Sequence, residues 1–176
     1  TNRENLLFVL EISKKLKLNK KKLIDVFRNF KGLNYRQQII FNKNKLTIIN
    51  DSKSTSFSSS IGTLKIDSNI YWLVGGIPKK GDNFNLPKRY FKRIKAFIFG
   101  NNSLFFNRQL KNKIKVENFK NLQTAFKRVY FLTSKEKTIG KTILFSPSAA
   151  SFDSFKNFED RGLYFNKLVK NYFDAR

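Results

Sequence analysis

Asp51, Ser52, Lys53 and Thr55 stand together in "LTIINDSKST" (46–55), where an apolar run gives way at once to acceptors, hydroxyl donors and a cation. A second polar set lies in "GGIPKKGD" (75–82), with Lys79 and Lys80 beyond a glycine pair, and a third in "SPSAAS" (146–151). Ammonium groups, hydroxyls and the open backbone of glycine-rich turns are suited to holding phosphates and carboxylates. The chain has no Cys and no His, which excludes disulfides, thiolate or imidazole metal ligands and any histidine-based triad. Acid–base chemistry is left to carboxylates, lysines or the substrate itself. Taken singly, each set also reads as ordinary structure. Asp51 or Ser52 would cap the next helix, Gly75-Gly76 would make a turn, Ser146-Pro147 would enter a helix, and Lys79 and Lys80 would be solvated charges.

The elements that carry these sets decide between the two readings. Residues 2–30 read as two helices, with Leu6, Leu7, Val9, Leu10 and Ile12 on one apolar face and Asn19 as the cap of the second; Gly32 ends this unit. Gln38–Phe41 and Leu46–Ile49 flank the turn "NKNK" and predict a hairpin. Strands are expected at 69–74, 95–99, 113–117 and 141–145, separated by helical stretches near 54–66, 85–94, 103–112 and 121–133, with a final helix over 155–173. This alternation predicts an α/β fold: a Rossmann-like, mostly parallel sheet with helices on both faces, preceded by a short helical unit. The polar sets, and "GNN" (100–102), each follow a strand. In open α/β sheets ligands bind just outside the carboxyl ends of the strands. Asp51, Lys53, Lys79 and Ser151 are therefore expected on one rim.

At 176 residues, 40% of them hydrophobic and 20 of them Phe, the chain has material for one domain, or one domain and a fragment. No apolar run approaches the roughly 18 residues needed to cross a bilayer, and nothing reads as a secretory leader, so a cytoplasmic location is expected. The balance of 36 Lys+Arg against 12 Asp+Glu gives +24. The basic residues are mostly lysine, spread from Lys14 to Lys170 among many Asn and Phe. We read this charge as compositional. The alternative, a basic α/β module that grips nucleic acid, would need a basic face with aromatics between its charges. "TIGKT" (138–142) resembles the end of a phosphate-binding loop, but the required first glycine would be at 135, which is Lys135, and a strand follows where a helix should.

The combination "INDSKST", "VGGIPKKGDNF" and "LFSPSAASFDSFKNFEDRG" resembles the C-terminal domain of the Mur ligases, in particular the branch that adds D-glutamate. The family pattern S-P-A-x-A-S-x-D-x-F-x-x-F-x-x-R-G is matched from Ser146 to Gly162 with few changes, and "NREN" (2–5) and "FKGLNYR" (30–36) resemble the junction with the preceding domain. The resemblance implies that residues 1–34 are the end of a central ATP-binding domain and 35–176 the C-terminal domain. It also implies that the phosphate-binding loop, the carbamylated lysine and the magnesium ligands lie upstream of Thr1. The chain alone is then expected to be inactive, with ATP and Mg2+ used by the complete enzyme.

By the same resemblance, ATP phosphorylates the carboxylate of UDP-N-acetylmuramoyl-L-alanine, and the amine of D-glutamate attacks the acyl phosphate. Lys53 is implied as the catalytic lysine and contacts the amino acid with Thr55 and Lys79. Ser151, with Phe152 and Phe158, is implied to hold the other end of the amino acid. Asp51 matches a contact to the nucleotide ribose, Arg36 one to its phosphates, and Asn2 and Asn5 positions near the adenine. Tyr35 stands where the family often has His, Ser54 and Ser56 where it has Ala and Asn, and Ser148-Ala149 where it has Ala-Cys. Glu159 and Asp160 suit a helix N-terminus, and Arg161 reads as their ion-pair partner. A folylpolyglutamate synthetase is a second reading within the same superfamily.

Overall fold

A computed structural model describes residues 3–30, 32–136 and 140–173. Its contacts divide the chain into two units, Thr1–Gly32 and Leu33–Arg176. The first unit holds helices α1 (Arg3–Lys15) and α2 (Lys20–Asn29). Asn19 caps α2 as expected, its side-chain oxygen accepting from the backbone amides of Lys21 and Lys22 at 2.9 and 3.2 Å. Much of the apolar surface of this unit is open: Leu7, Phe8, Val9, Ile12, Leu16, Val26 and Phe30 are all exposed.

The second unit is built on one six-stranded sheet of order β1-β2-β6-β3-β4-β5. Its strands are β1 (Gln38–Lys43), β2 (Leu46–Asn50), β3 (Asn69–Gly75), β4 (Ile94–Phe99), β5 (Lys115–Phe119) and β6 (Lys141–Phe145). Only β1 runs antiparallel, joined to β2 by the expected hairpin. Asn44 and Lys45 at its tip both have φ above +50°, the left-handed pair that a tight two-residue hairpin turn requires. The remaining neighbours are all parallel. The inner strands are apolar almost throughout because both faces are covered. Ile70, Trp72 and Val74 of β3 point into one core with Phe57, Phe84 and Phe106, and Tyr71 and Leu73 point into the other with Phe126, Phe145 and Phe165. Helix α4 (Ser103–Leu110) supplies the first core, while α5 (Leu122–Lys135) and α6 (Phe158–Phe173) supply the second.

Two expected helices are shorter than their sequence windows. Residues 54–66 give only α3 (Phe57–Ser60) and a 3-10 turn at Thr63–Lys65, and 85–94 give a 3-10 segment at Lys88–Arg93 after Pro87. Serine side chains compete with the helix ladder for backbone groups, and five of the seven residues from Ser54 to Ser60 are serine. The cap of α3 is Ser56, not Asp51 or Ser52. Both of those are buried and bonded elsewhere. No helix among the described residues is long and apolar enough to cross a membrane. Within "TIGKT", Thr138 and Ile139 lie outside the described residues.

Candidate ligand site at the carboxyl rim

Because β2, β3, β4 and β6 are parallel, the loops that leave their carboxyl ends emerge together. Asn50 ends β2 and turns the chain there, its side-chain amide donating to the Gly162 carbonyl at 2.9 Å and to Asn166 Oδ1 at 2.7 Å, both on α6. Asp51 follows. Its backbone amide still reaches the Phe145 carbonyl of β6 at 2.7 Å, and its carboxylate accepts from the Gln37 amide at 3.1 Å and from Ser146 Oγ at 2.7 Å. Burial pushes the Asp51 carboxyl up to about 6, while Ser146, the Gln37 amide and the Arg36 charge oppose the rise. Arg36 is thus electrostatically coupled to Asp51 and is itself exposed.

The loop that carries Arg36 is pinned by its neighbours. The Lys53 amide donates to the Tyr35 carbonyl at 3.0 Å. The Tyr35 ring lies against α6 where Gly162 leaves room: a Cβ on Gly162 would fall onto it. Tyr35 and Gln37 both have positive φ, a conformation that costs energy in a non-glycine residue and is held by the surrounding bonds. Lys53 Nζ rests 3.8 Å from the centre of the Phe158 ring, a cation–π contact.

The third side of the site comes from β3 and β6. Trp72 Nε1 donates to the Ser146 carbonyl at 2.7 Å, the Gly75 amide to the Pro147 carbonyl at 3.0 Å, and Ile77 and Ala150 form a two-way antiparallel bridge. These bonds fasten the "GGIPKKGD" loop to "SPSAAS". The backbone is close enough there that a Cβ on Gly76, whose φ is +122°, would collide with the Ala150 carbonyl oxygen. Asp82 closes the loop on α3, accepting from the Phe57 amide at 2.7 Å.

The structure therefore brings Asp51, Lys53 and Phe158 into one bonded cluster, with Arg36 acting on Asp51 through its charge alone and Ser151 buried in the adjoining turn where its carbonyl accepts from the Ser154 and Phe155 amides. Lys79 and Thr55 lie on loops of the same rim, both exposed. Phe152 is 72% exposed. Asn5 is an exposed residue of α1 in the first unit, and Asn2 lies outside the described residues. Among the described residues no group of three or more His, Cys, Asp or Glu side chains is placed to hold a metal ion.

Arg161 corrects its sequence reading. It does not pair with Glu159 or Asp160, which are exposed, but is 1% exposed itself. Its Nε donates to Ser52 Oγ at 3.1 Å, and Nη2 to the Ser52 and Ala149 carbonyls at 2.8 and 2.9 Å. Burial lowers its pKa to about 10, with the nearby charge of Asp153 opposing the shift, so it stays cationic at neutral pH. The signal was present in the sequence: Arg161 falls in helical phase with Phe165, Leu168 and Val169, the buried stripe of α6.

Sheet order and rim thus define an α/β domain with a candidate ligand site at the carboxyl ends of the strands, and over nearly its whole length the chain is similar to ligases of the Mur family. Its relatives there are UDP-N-acetylmuramoylalanine–D-glutamate ligases. That of Rickettsia prowazekii is 38% identical over 172 residues, covering 97% of this chain and 38% of that protein. That of the Wolbachia of Brugia malayi is 34% identical over 177 residues, covering 99% and 35%. That of Buchnera aphidicola is 38% identical over 175 residues, covering 96% and 38%. The chain spans little more than a third of these relatives and corresponds to their C-terminal part. They favour neither the nucleic-acid module nor a folylpolyglutamate synthetase. No protein-family model matches the chain. Among solved structures, a murein peptide ligase from Psychrobacter arcticus aligns with a TM-score of 0.48 and 9% identity, over 84% of this chain and 31% of that one.

Proposed function

We propose that this chain is the D-glutamate-facing part of an ATP-dependent ligase that, when complete, joins D-glutamate to UDP-N-acetylmuramoyl-L-alanine in peptidoglycan synthesis in the cytoplasm. In this reading ATP transfers a phosphoryl group to the carboxylate of the uridine substrate. The D-glutamate amine then attacks the acyl carbon, the C–N bond forms, phosphate leaves and the amine gives up a proton. D-glutamate brings two carboxylates, which call for cations and paired donors held in fixed geometry. Lys53, Thr55 and Lys79 take one end of it, with Lys53 nearest the chemistry, and Ser151 with the backbone at Phe152 and Phe158 takes the other. Asp51 receives the ribose hydroxyls and Arg36 the phosphates, where a guanidinium stabilises charge that develops on transfer. Magnesium, when bound, would neutralise phosphate charge; no residue of this chain is assigned to hold it.

The observation that carries the reading is the bonded cluster of Asp51, Lys53 and Phe158 at the carboxyl rim, formed by the same segments that match the D-glutamate ligases. The open apolar surface of α1 and α2 supports a companion inference. A two-helix unit with Phe8 73% exposed is the edge of a larger domain, read here as the end of the ATP-binding domain with Asn2 and Asn5 near the adenine.

The test is D-glutamate-dependent ADP release by the full-length ligase, with no release by this chain alone. A charge-assisted hydrogen bond to a carboxylate contributes about 1.5–3 kcal/mol. Lys79→Ala should therefore raise the D-glutamate KM roughly 10- to 100-fold and leave the KM of the uridine nucleotide nearly unchanged. An unaltered D-glutamate KM would remove Lys79 from the site.

A further inference from the structure

We propose that Arg161 is the positioning residue that aligns the three ligand loops of the rim, so that D-glutamate binds and reacts only while its guanidinium fork is in place. This deepens the ligase reading above and rests on it.

A guanidinium here is an unusual choice. The position belongs to the buried stripe of α6, where an apolar side chain would pack at no electrostatic cost. Removing a charge from water costs several kcal/mol, and replacing buried charge by well-packed apolar groups is often neutral or stabilising. Arg161 forms no ion pair among the described residues; its three hydrogen bonds go to a hydroxyl and two carbonyls, and the Asp153 charge acts on it from farther off. Direct charge pairing therefore does not account for a guanidinium at this position.

Geometry does. Ser52 lies in the loop after β2 and Ala149 in the loop after β6, and the planar fork holds both at fixed angles. The third loop, after β3, closes over Nη1, which has no hydrogen-bond partner; a Cβ on Gly76 would stand 3.2 Å from it. From the fork a short chain of contacts leads to the ligand side. Ser52 Oγ accepts from Arg161 Nε and donates to the Phe158 carbonyl at 2.9 Å, and the Phe158 ring carries the Lys53 ammonium. Arg161 therefore sets the direction of the Ser52 hydroxyl, the start of α6 and, through Phe158, the lysine assigned to the amino acid. Lysine can keep the charge at this position but cannot reproduce a planar fork.

The experiment uses the full-length ligase and compares Arg161→Lys, Arg161→Met and Ser52→Ala. It measures kcat, the KM for D-glutamate, ATP and the uridine nucleotide, and the melting temperature of each. Arg161→Met should lower the melting temperature, because the buried Ser52 and Ala149 carbonyls lose their donor. Arg161→Lys keeps a charge and a donor there and should fold closer to the parent. Both arginine variants should raise the D-glutamate KM and lower kcat, with a combined loss of about 10- to 100-fold, as for residues that orient a reacting group. The KM of the uridine nucleotide should stay within about twofold, because loss is confined to the D-glutamate side. Ser52→Ala should show a smaller loss of the same kind, and the double variant with Arg161→Lys should lose less than the product of the two. Parental D-glutamate kinetics in a folded Arg161→Met or Arg161→Lys enzyme would overturn the proposal. So would losses spread equally over all three substrates, which is the mark of a merely structural role. If the unmodified ligase shows no D-glutamate-dependent turnover, the ligase reading fails first and takes this proposal with it.

Discussion

The two rims of the sheet differ in how they handle charge. At the amino rim, Lys92, Lys95, Lys111, Lys113 and Lys115 line an open groove beside Ile94 and Ile114, with Glu117 as the one acid among the lining residues. At the carboxyl rim Arg36, Lys79 and Lys80 are exposed, but the charges nearer the sheet are each engaged by neutral groups: Asp51 with Ser146 and Gln37, Lys53 with Phe158, Arg161 with Ser52 and Ala149. The net charge of +24 therefore says little about where a ligand goes. What marks a site is not the density of charge but the number of neutral groups arranged around each charge.

The largest effect expected from breaking this contrast is at Gly76. A methyl there meets the Ala150 backbone, which cannot yield, and φ is +122°. Gly76→Ala should cost about 2–4 kcal/mol, which thermal unfolding should read as a fall of roughly 5–15 °C. Gly62→Ala, with open space around it and φ −58°, is the control and should be neutral or slightly stabilising.

The pH response of Asp51 should come next in size. Its folded carboxyl titrates near 6 against 3.8 for the free group, so the native state binds the proton more tightly than the unfolded chain. This group then adds stability as pH falls from about 6 towards 4, and above 6 its buried charge is a cost. Under the proposed ligase reading function runs the other way, since a protonated Asp51 would be a poorer acceptor for ribose hydroxyls. The ATP KM should rise as pH drops through about 6, and Asp51→Asn should hold it high at every pH. A profile that keeps its acid limb in Asp51→Asn would assign that limb to another group.

The smallest effect sharpens the other side of the comparison. Lys92→Ala and Lys115→Ala at the amino rim should change stability by less than about 0.5 kcal/mol and kcat/KM by less than about twofold. A larger kinetic loss would mean that the amino rim takes part in binding.

The sheet was readable in the sequence because its inner strands are apolar on both faces, and runs such as "NIYWLV" and "KTILF" have few other uses. The hairpin was readable for a different reason: Asn44 tolerates the left-handed conformation its turn needs. The helical windows at 54–66 and 85–94 were overread because their periodicity ignored what serine hydroxyls and Pro87 do to a helix ladder. At the rim, Asp51 and Lys53 stood out as polar residues at a strand end. Arg161 was misread because its neighbours in sequence are acids, whereas its neighbours in space lie 109 and 12 positions away along the chain.

The serine cluster behind Asp51 has a consequence of its own. Ser146 Oγ lies 2.7 Å from Ser60 Oγ, which in turn lies 2.7 Å from Ser54 Oγ and 2.6 Å from Ser148 Oγ. A hydroxyl has one proton to give and two lone pairs to receive with. While Asp51 is ionised it can only accept, so the Ser146 proton points at it. Ser60 can then direct its proton to Ser146 and receive those of Ser54 and Ser148, which leaves no conflict at any of the four oxygens. The cluster thereby acquires a polarity, with every proton aimed down the line towards one carboxylate. Protonation of Asp51 removes what fixes that sense and lets the line reverse. Ser54 and Ser148, where the family pattern has alanine, are the two positions that give this chain a line long enough to have a direction.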